Sequence, residues 1–358
     1  MGVYWIFFSL LFITYYTLHP NRNEKNLKYW NSSVGFFVFL LFAIRNISMG
    51  LHDVYDSYAP MYQYLATIPF KMIFTRYSSD WLFYIVSKCI RLITENTNVW
   101  LAIMALPICV AVSKLIRKYS FFPWLSWILF FSLGFFSVNI TVMRQSVAMA
   151  FVIFSILQLE DDNIKKSIIY AVIAVLFHMT ALVAALPIVI YIVKPKLSFK
   201  KIVLFVGISI VVWGLSSVVV GWLFDHIGIL RFQRYLLHIS PFNMTMFLVF
   251  LMIFTYSALS MYITDHGDGI FNSDTAFVFI LGCALPFYAL TSTFSDLFRM
   301  GLYFSIFSII TVPNALGRIK KPTTRLAVGT VILIVVLLYA FNRGLVDVSP
   351  YVTCWSQS

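Results

Sequence analysis

Charge is scarce in this chain. Fourteen Asp and Glu and 26 Lys and Arg make up 11% of its 358 residues, whereas 61% are hydrophobic. That load of apolar side chains excludes an ordinary soluble domain and leaves a polytopic helical membrane protein. Cysteine is scarcer still. Cys89, Cys109, Cys283 and Cys354 stand alone, without CxxC or Cys/His spacing, which argues against a disulfide framework or a thiolate metal site. P-loop, HExxH, GxSxG and GxGxxG patterns are missing, as is a DxD-like carboxylate pair on an outer loop; Asp265 and Asp268 fall on the inner side. No metal, nucleotide or other cofactor is expected. The first apolar run, Val3–Leu18, has no basic segment before it and no small-residue cleavage site. It reads as a retained helix rather than a signal peptide.

What is present is a succession of apolar segments, near residues 3–18, 34–50, 81–93, 98–113, 121–138, 144–159, 167–193, 202–223, 244–263, 275–293, 299–313 and 326–341. Many Tyr and Trp flank them, as interfacial anchors do. The net charge of +12 would suggest nucleic acid in a soluble chain. Here it fits basic cytoplasmic loops facing anionic lipid, and no nucleic-acid partner is expected. Two stretches are ambiguous. Residues 55–74 are only moderately apolar, and 167–193 is long for one helix and contains His178 and Pro187.

The basic loops set the orientation. They are Arg22/Lys25/Lys28, Lys71/Arg76, Lys114/Arg117/Lys118, Lys165/Lys166, Lys194/Lys196/Lys200/Lys201 and Arg318/Lys320/Lys321/Arg325. If all face the cytoplasm, 55–74 returns the chain to the inside, and 167–193 goes out and back with a bend near His178. The alternative for the latter is one tilted helix. The expected fold is an all-α polytopic membrane protein with about 12–14 transmembrane or re-entrant helices. It forms one transmembrane domain over 1–358, with an outer amphipathic loop or helix at 224–243.

This scheme sorts the cations. Almost every lysine is inside, while the outer edge holds Arg45, Arg91, Arg144, Arg231, Arg234, Arg299 and Arg343. Arginine offers a fixed fork of donors that grips phosphate oxygens bidentately and never deprotonates. The outer vestibule therefore suits a phosphate-bearing anion. Each arginine taken alone is as well explained by pairing with Asp53, Asp56, Asp225 or Asp296, or by reaching lipid headgroups.

Five constellations lie along that face. In AIRNISMGLHDVYDSY, 43–58, Arg45 closes an apolar run ahead of Asp53, Asp56, Tyr55 and Tyr58. A carboxylate among hydroxyls suits sugar binding or proton acceptance, and equally an ordinary loop with a structural Arg–Asp pair. In NITVMRQ, 139–145, a helix starting near Val142 puts Arg144 in its first turn, followed by Gln145. Guanidinium and helix dipole would then act on one anion. An arginine in this apolar setting has no sequence-near partner; a buried arginine satisfied by carbonyls is the alternative. In LFHMTALVAALP, 176–187, His178 interrupts an apolar run, either as a helix–helix hydrogen bond or as a general base or pyrophosphate donor. In FDHIGILRFQRYLLHI, 224–239, Arg231, Arg234 and His238 share a helical face, as a cover over the vestibule or as a basic interfacial helix touching lipid. In STFSDLFRMGLYF, 292–304, Asp296 and Arg299 are three apart and pair, or Arg299 serves as a ligand.

Three of these stretches resemble the Wzy/EpsG family of bacterial surface-polysaccharide polymerases. They are Arg45 followed by Gly50, Asp53 and Tyr58; RQSVAMAF at 144–151; and KKSIIYAVIAVLFHMTAL at 165–182. The likeness covers most of residues 30–190 and, more weakly, Arg299 to Pro313. The family has a tighter Gly–Thr–Asp where this chain has GLHD. The resemblance implies a GT-C-like, metal-independent glycosyltransferase of the bacterial inner (cytoplasmic) membrane. It would join oligosaccharide repeat units carried on undecaprenyl pyrophosphate at the periplasmic face, as in lipopolysaccharide O-antigen polymerisation. Arg144 and Arg299, then Arg45, would neutralise the pyrophosphate leaving group with Gln145 beside them. Arg231 and Arg234 would cover it, and Asp53 or His178 would take the acceptor's proton. Implied partners are undecaprenyl-pyrophosphate-linked glycans, membrane lipid and a chain-length regulator protein. An O-antigen ligase shares the arginine logic, but the longest outer loop here, 224–243, is short for one. A flippase or transporter would carry charges near mid-membrane and an inverted repeat, neither of which is evident.

Overall fold

The computed structural model describes residues 2–20, 23–49, 57–227, 244–264, 271–291, 293–294 and 297–355. The protein is all-α and polytopic; among the described residues there is no strand, only an isolated bridge between Arg45 and Thr353. Among the described residues, four helices are long and apolar enough to cross a membrane: Thr97–Tyr119, Thr245–Thr264, Ser273–Leu290 and Pro322–Gly344. Counting each sharply bent helix pair as one span raises the number to seven. The described residues form two compact units, Met1–Leu182 with Leu326–Ser358, and Val183–Arg325.

The first unit is built from α1 (Gly2–Leu18), α2 (Glu24–Ala43), α3 (Ala59–Tyr64), α4 (Lys71–Arg76), α5 (Trp81–Arg91), α6 (Thr97–Tyr119), α7 (Pro123–Ser132), α8 (Phe135–Thr141), α9 (Met143–Glu160) and α10 (Ile164–Phe177). Short polar residues at the heads of apolar runs start several of them. The side chains of Asn23, Asn96 and Asn163 accept from the free N–H groups of α2, α6 and α10, as N-caps do. Inside, Asn31 on α2 donates to the carbonyl and hydroxyl oxygens of Ser113 on α6, both at 2.8 Å, and accepts from Trp127 on α7. A buried amide satisfied on three sides fixes the register of three helices.

Length gives the unit two ends. At 1.5 Å per residue, α6 rises about 34 Å and α9 about 27 Å, a hydrocarbon thickness each. One end is basic: Lys118 pairs with Asp161, and Lys28, Lys114 and Arg117 gather beside them. The other collects Arg45, the break between α8 and α9, His178 and the C-terminal segment. There Asn46 N–H donates to Val352 O at 2.9 Å and Tyr4 Oη to Val348 O at 2.8 Å. Gly134, in a left-handed conformation (φ 83°), lets α7 break into α8 at 53°. The C-terminal segment packs on that break so closely that a Cβ on Gly344 would lie 2.1 Å from Ser132 O.

The expectation for 55–74 is corrected here. Its described part holds only α3 and α4, six residues each, which rise about 9 Å and cannot return the chain across a bilayer. Lys88 pins this excursion by donating to Leu65 O at 2.7 Å and Ile68 O at 2.6 Å. The chain leaves Tyr58 and comes back at Asp80 to the same end of the unit, beside Arg144. Lys71 and Arg76 therefore belong to the Arg144 side rather than to the basic end. The 167–193 run is not one helix: α10 stops at Phe177, His178 is extended, and Met179–Ala184 is 3-10 before the helix Ala185–Val193.

In the second unit, the buried helix Ser273–Leu290 is the centre. Phe205 and Phe254 close on Gly282, and Gly301 lies against the Tyr288 ring. Tyr288 also shares a 2.6 Å hydrogen bond with Ser305. Asp274 accepts from Arg318 at 2.8 Å and Asn314 at 2.6 Å.

Candidate functional site

Arg144 is the second residue of α9, so its guanidinium and the positive end of the helix dipole sit together. Its side chain meets a carboxylate: Nη1 donates to Asp80 Oδ2 at 2.8 Å and to Tyr84 Oη at 3.2 Å. Nε donates to Tyr58 Oη at 3.4 Å, and the guanidinium lies 5.8 Å from the Tyr58 ring centre. Three of its five N–H groups are thus used. Among the described residues, Nη2 has no hydrogen-bond partner. With 32% of the side chain exposed, two donors are left for a ligand.

Asp80 is the hub. It is 5% exposed and stands at the head of α5, where an aspartate would ordinarily cap the helix. Its side chain makes no cap bond, and its backbone is left-handed, φ 62°. That conformation is costly for a residue other than glycine, about 1–3 kcal/mol. The carboxylate turns instead to Arg144 and His178, whose Nδ1 is 3.1 Å from Oδ2, while Oδ1 accepts from Met179 N–H at 2.9 Å. Burial pushes the Asp80 carboxyl up. The His178 hydrogen bond, Arg144 and the Met179 N–H outweigh it and hold the group below the ordinary carboxylate value. An ionised carboxylate only accepts, so His178 Nδ1 carries a hydrogen toward it. His178 Nε2 is left as the second face of the ring, and the imidazole is 18% exposed.

A cavity of about 410 Å³ opens beside this cluster, lined by Arg144, Tyr58, Tyr84, Tyr77, Tyr64 and Arg76 among others. Arg76 lies over the Tyr64 ring at 4.7 Å, and Tyr77 stacks on Tyr84 at 3.6 Å. The cavity has two guanidinium groups and a wall of phenol rings, a surface for an anion next to a polyhydroxylated ring. Among the described residues no three His, Cys, Asp or Glu side chains gather as a metal site would need.

The other expected site residues fall as follows. Gln145 is buried, at 1% exposure, next to Arg144 on α9. Arg45 is equally buried but does not line the cavity. It donates to Phe42 O at 3.4 Å and Ile140 O at 3.2 Å and pairs through its backbone with Thr353. Arg299 is in the second unit, on the helix Phe298–Ser305. Asp53, Asp56, Asp296, Arg231, Arg234 and nearly all of the 224–243 loop lie outside the described residues. The sequence reading missed Asp80, Tyr84 and Arg76. The available signal was a lone aspartate directly before the apolar segment 81–93.

These features define a class: a multi-pass, all-α membrane protein whose first unit holds an Arg–Asp–His cluster at the end opposite Lys28, Lys114, Arg117 and Lys118. The match that places it further is to the family model described as the EpsG family, over residues 28–353. The chain belongs to the EpsG family, and that membership supports a polysaccharide polymerase-type, glycosyltransferase-like role in polysaccharide biosynthesis. No curated protein and no solved structure matches it.

Proposed function

We propose that the protein joins oligosaccharide repeat units carried on undecaprenyl pyrophosphate, at the outer, periplasmic face of the bacterial cytoplasmic membrane. One observation carries the reading: Arg144 is held by Asp80, Tyr58 and Tyr84 with two donors to spare, in a cavity that also holds Arg76. In the reaction, the acceptor hydroxyl oxygen attacks the donor's anomeric carbon. The bond from that carbon to the lipid diphosphate breaks, and its electron pair leaves with the diphosphate. Positioned cations stabilise the charge that develops there far better than water can, because they need not reorganise. Arg144 Nη2 is assigned to that oxygen, with Arg76 as a second cation. The acceptor's proton passes to His178 Nε2, and Asp80 stabilises the imidazolium that results. The tyrosines offer faces for sugar rings. Arg45 ties α2 to α8.

The test is the polysaccharide ladder in cells lacking the native copy. Arg144→Ala should accumulate in the membrane, abolish long chains and leave glycans of a single repeat. A normal ladder from Arg144→Ala overturns the assignment.

A further inference from the structure

At the basic end of the first unit lies a second cavity, about 430 Å³, between α2 and α6. Its lining is ordered along both helices. On α2, Lys28, Ser32, Phe36 and Phe39 succeed one another on one face; on α6, Arg117, Lys114, Val110 and Leu106 do the same from the same end. Cations thus mark one end of the groove and, past Ser32 and Ser113, apolar side chains line the other. Gly35 sits against Ser113, where a Cβ would be 2.9 Å from Oγ. Phe36, Leu106 and Val110 are exposed, at 60%, 48% and 36%. Among the described residues, none of Lys28, Lys114 and Arg117 pairs with a carboxylate; Lys114 only faces the Phe154 ring at 5.4 Å. Their neighbour Lys118 takes Asp161 instead.

We propose that this groove binds one anionic phospholipid of the cytoplasmic leaflet. The phosphate sits among Lys28, Lys114 and Arg117, and an acyl chain lies along Phe36, Val110 and Leu106. From Lys28 to Phe39 the helix rises about 16 Å, close to half of a hydrocarbon core of about 30 Å. The groove is therefore one leaflet deep and has a phospholipid's order, charge at the surface and apolar length below. A loop that merely obeys the positive-inside rule has no such depth or order.

The experiment is native mass spectrometry of the purified full-length protein, with phosphatidylglycerol and phosphatidylcholine of identical acyl chains added in equal amounts. The wild type should retain one phosphatidylglycerol in preference to phosphatidylcholine. Each basic residue near a lipid surface contributes about fivefold, so Lys28→Gln/Lys114→Gln/Arg117→Gln should weaken retention by about a hundredfold. A control of equal charge, Lys25→Gln/Lys165→Gln/Lys166→Gln, should keep it. Val110→Trp, which fills the groove and leaves every charge in place, should also lose the lipid and serves if the triple variant does not fold. Equal retention by the triple variant and the wild type overturns the proposal, as does equal loss in the control. Retention of added undecaprenyl phosphate in place of phosphatidylglycerol also overturns it.

Discussion

Arg144 and Asp80 stand 64 residues apart in the chain and meet at 2.8 Å through Nη1 and Oδ2. The same aspartate oxygen faces His178, a further 98 residues along from Asp80. Three separate segments thus bring one cation, one anion and one imidazole together, and the cation also lines a cavity. Arg144 is thereby oriented without using all its donors, and His178 is fixed in one ring orientation.

Asp80→Asn keeps the shape and removes the charge. It should leave the protein in the membrane and reduce polymer by about 10²–10⁴, the range of a lost, correctly oriented acid–base group. Polymer per immunoblotted protein checks this. Near-normal polymer would remove Asp80 from the mechanism.

The pH dependence follows from the same residue. Asp80 has a folded-state carboxyl value held down by its partners, so the ion pair's contribution is complete above the ordinary carboxylate value, about 4. It is lost as the pH falls through the lowered value. Thermal unfolding of purified wild type and Asp80→Asn should therefore differ above about 4 and converge as the pH falls below it.

Arg45 should behave as a structural residue. Arg45→Ala would orphan two buried carbonyls and open a cavity, costing about 2–4 kcal/mol. Membrane abundance and melting temperature should fall, while the polymer made per surviving molecule stays near wild type. A stable Arg45→Ala protein without activity would move Arg45 into the site.

Gly344→Ala tests the packing of the C-terminal segment on the break between α7 and α8. Its Cβ would meet Ser132 O at 2.1 Å, so backbone must move, at about 2 kcal/mol or more. A lower melting temperature checks this; Gly207→Ala, where a Cβ meets nothing within 4 Å, should not lower it.

The sequence exposed Arg144 because a guanidinium in apolar surroundings demands a partner, and it exposed the break at His178 because 27 apolar residues exceed one span. Asp80 stayed hidden for a physical reason. It follows Arg76, Tyr77, Ser78 and Ser79, a polar run that reads as a cytoplasmic loop under a charge-sorting rule. Only tertiary structure shows that α3 and α4 are too short to reach that side. Arg45 was legible as an arginine at a helix end, but its acceptors are backbone carbonyls, which carry no sequence signal. Orientation rules count charges, and the six-residue helices and the Lys88 anchor that defeat the rule here are decided by packing.

The central claim is that Arg144 grips a prenyl-linked diphosphate, and binding tests it without the chemistry that follows. The measurement is the affinity of the purified protein for undecaprenyl pyrophosphate, wild type against Arg144→Gln, with undecaprenol as the uncharged reference. A loss of about 30-fold or more for the diphosphate, with undecaprenol unchanged, is predicted from charge-assisted hydrogen bonds of roughly 2–3 kcal/mol. Equal diphosphate affinity in the two proteins would contradict it.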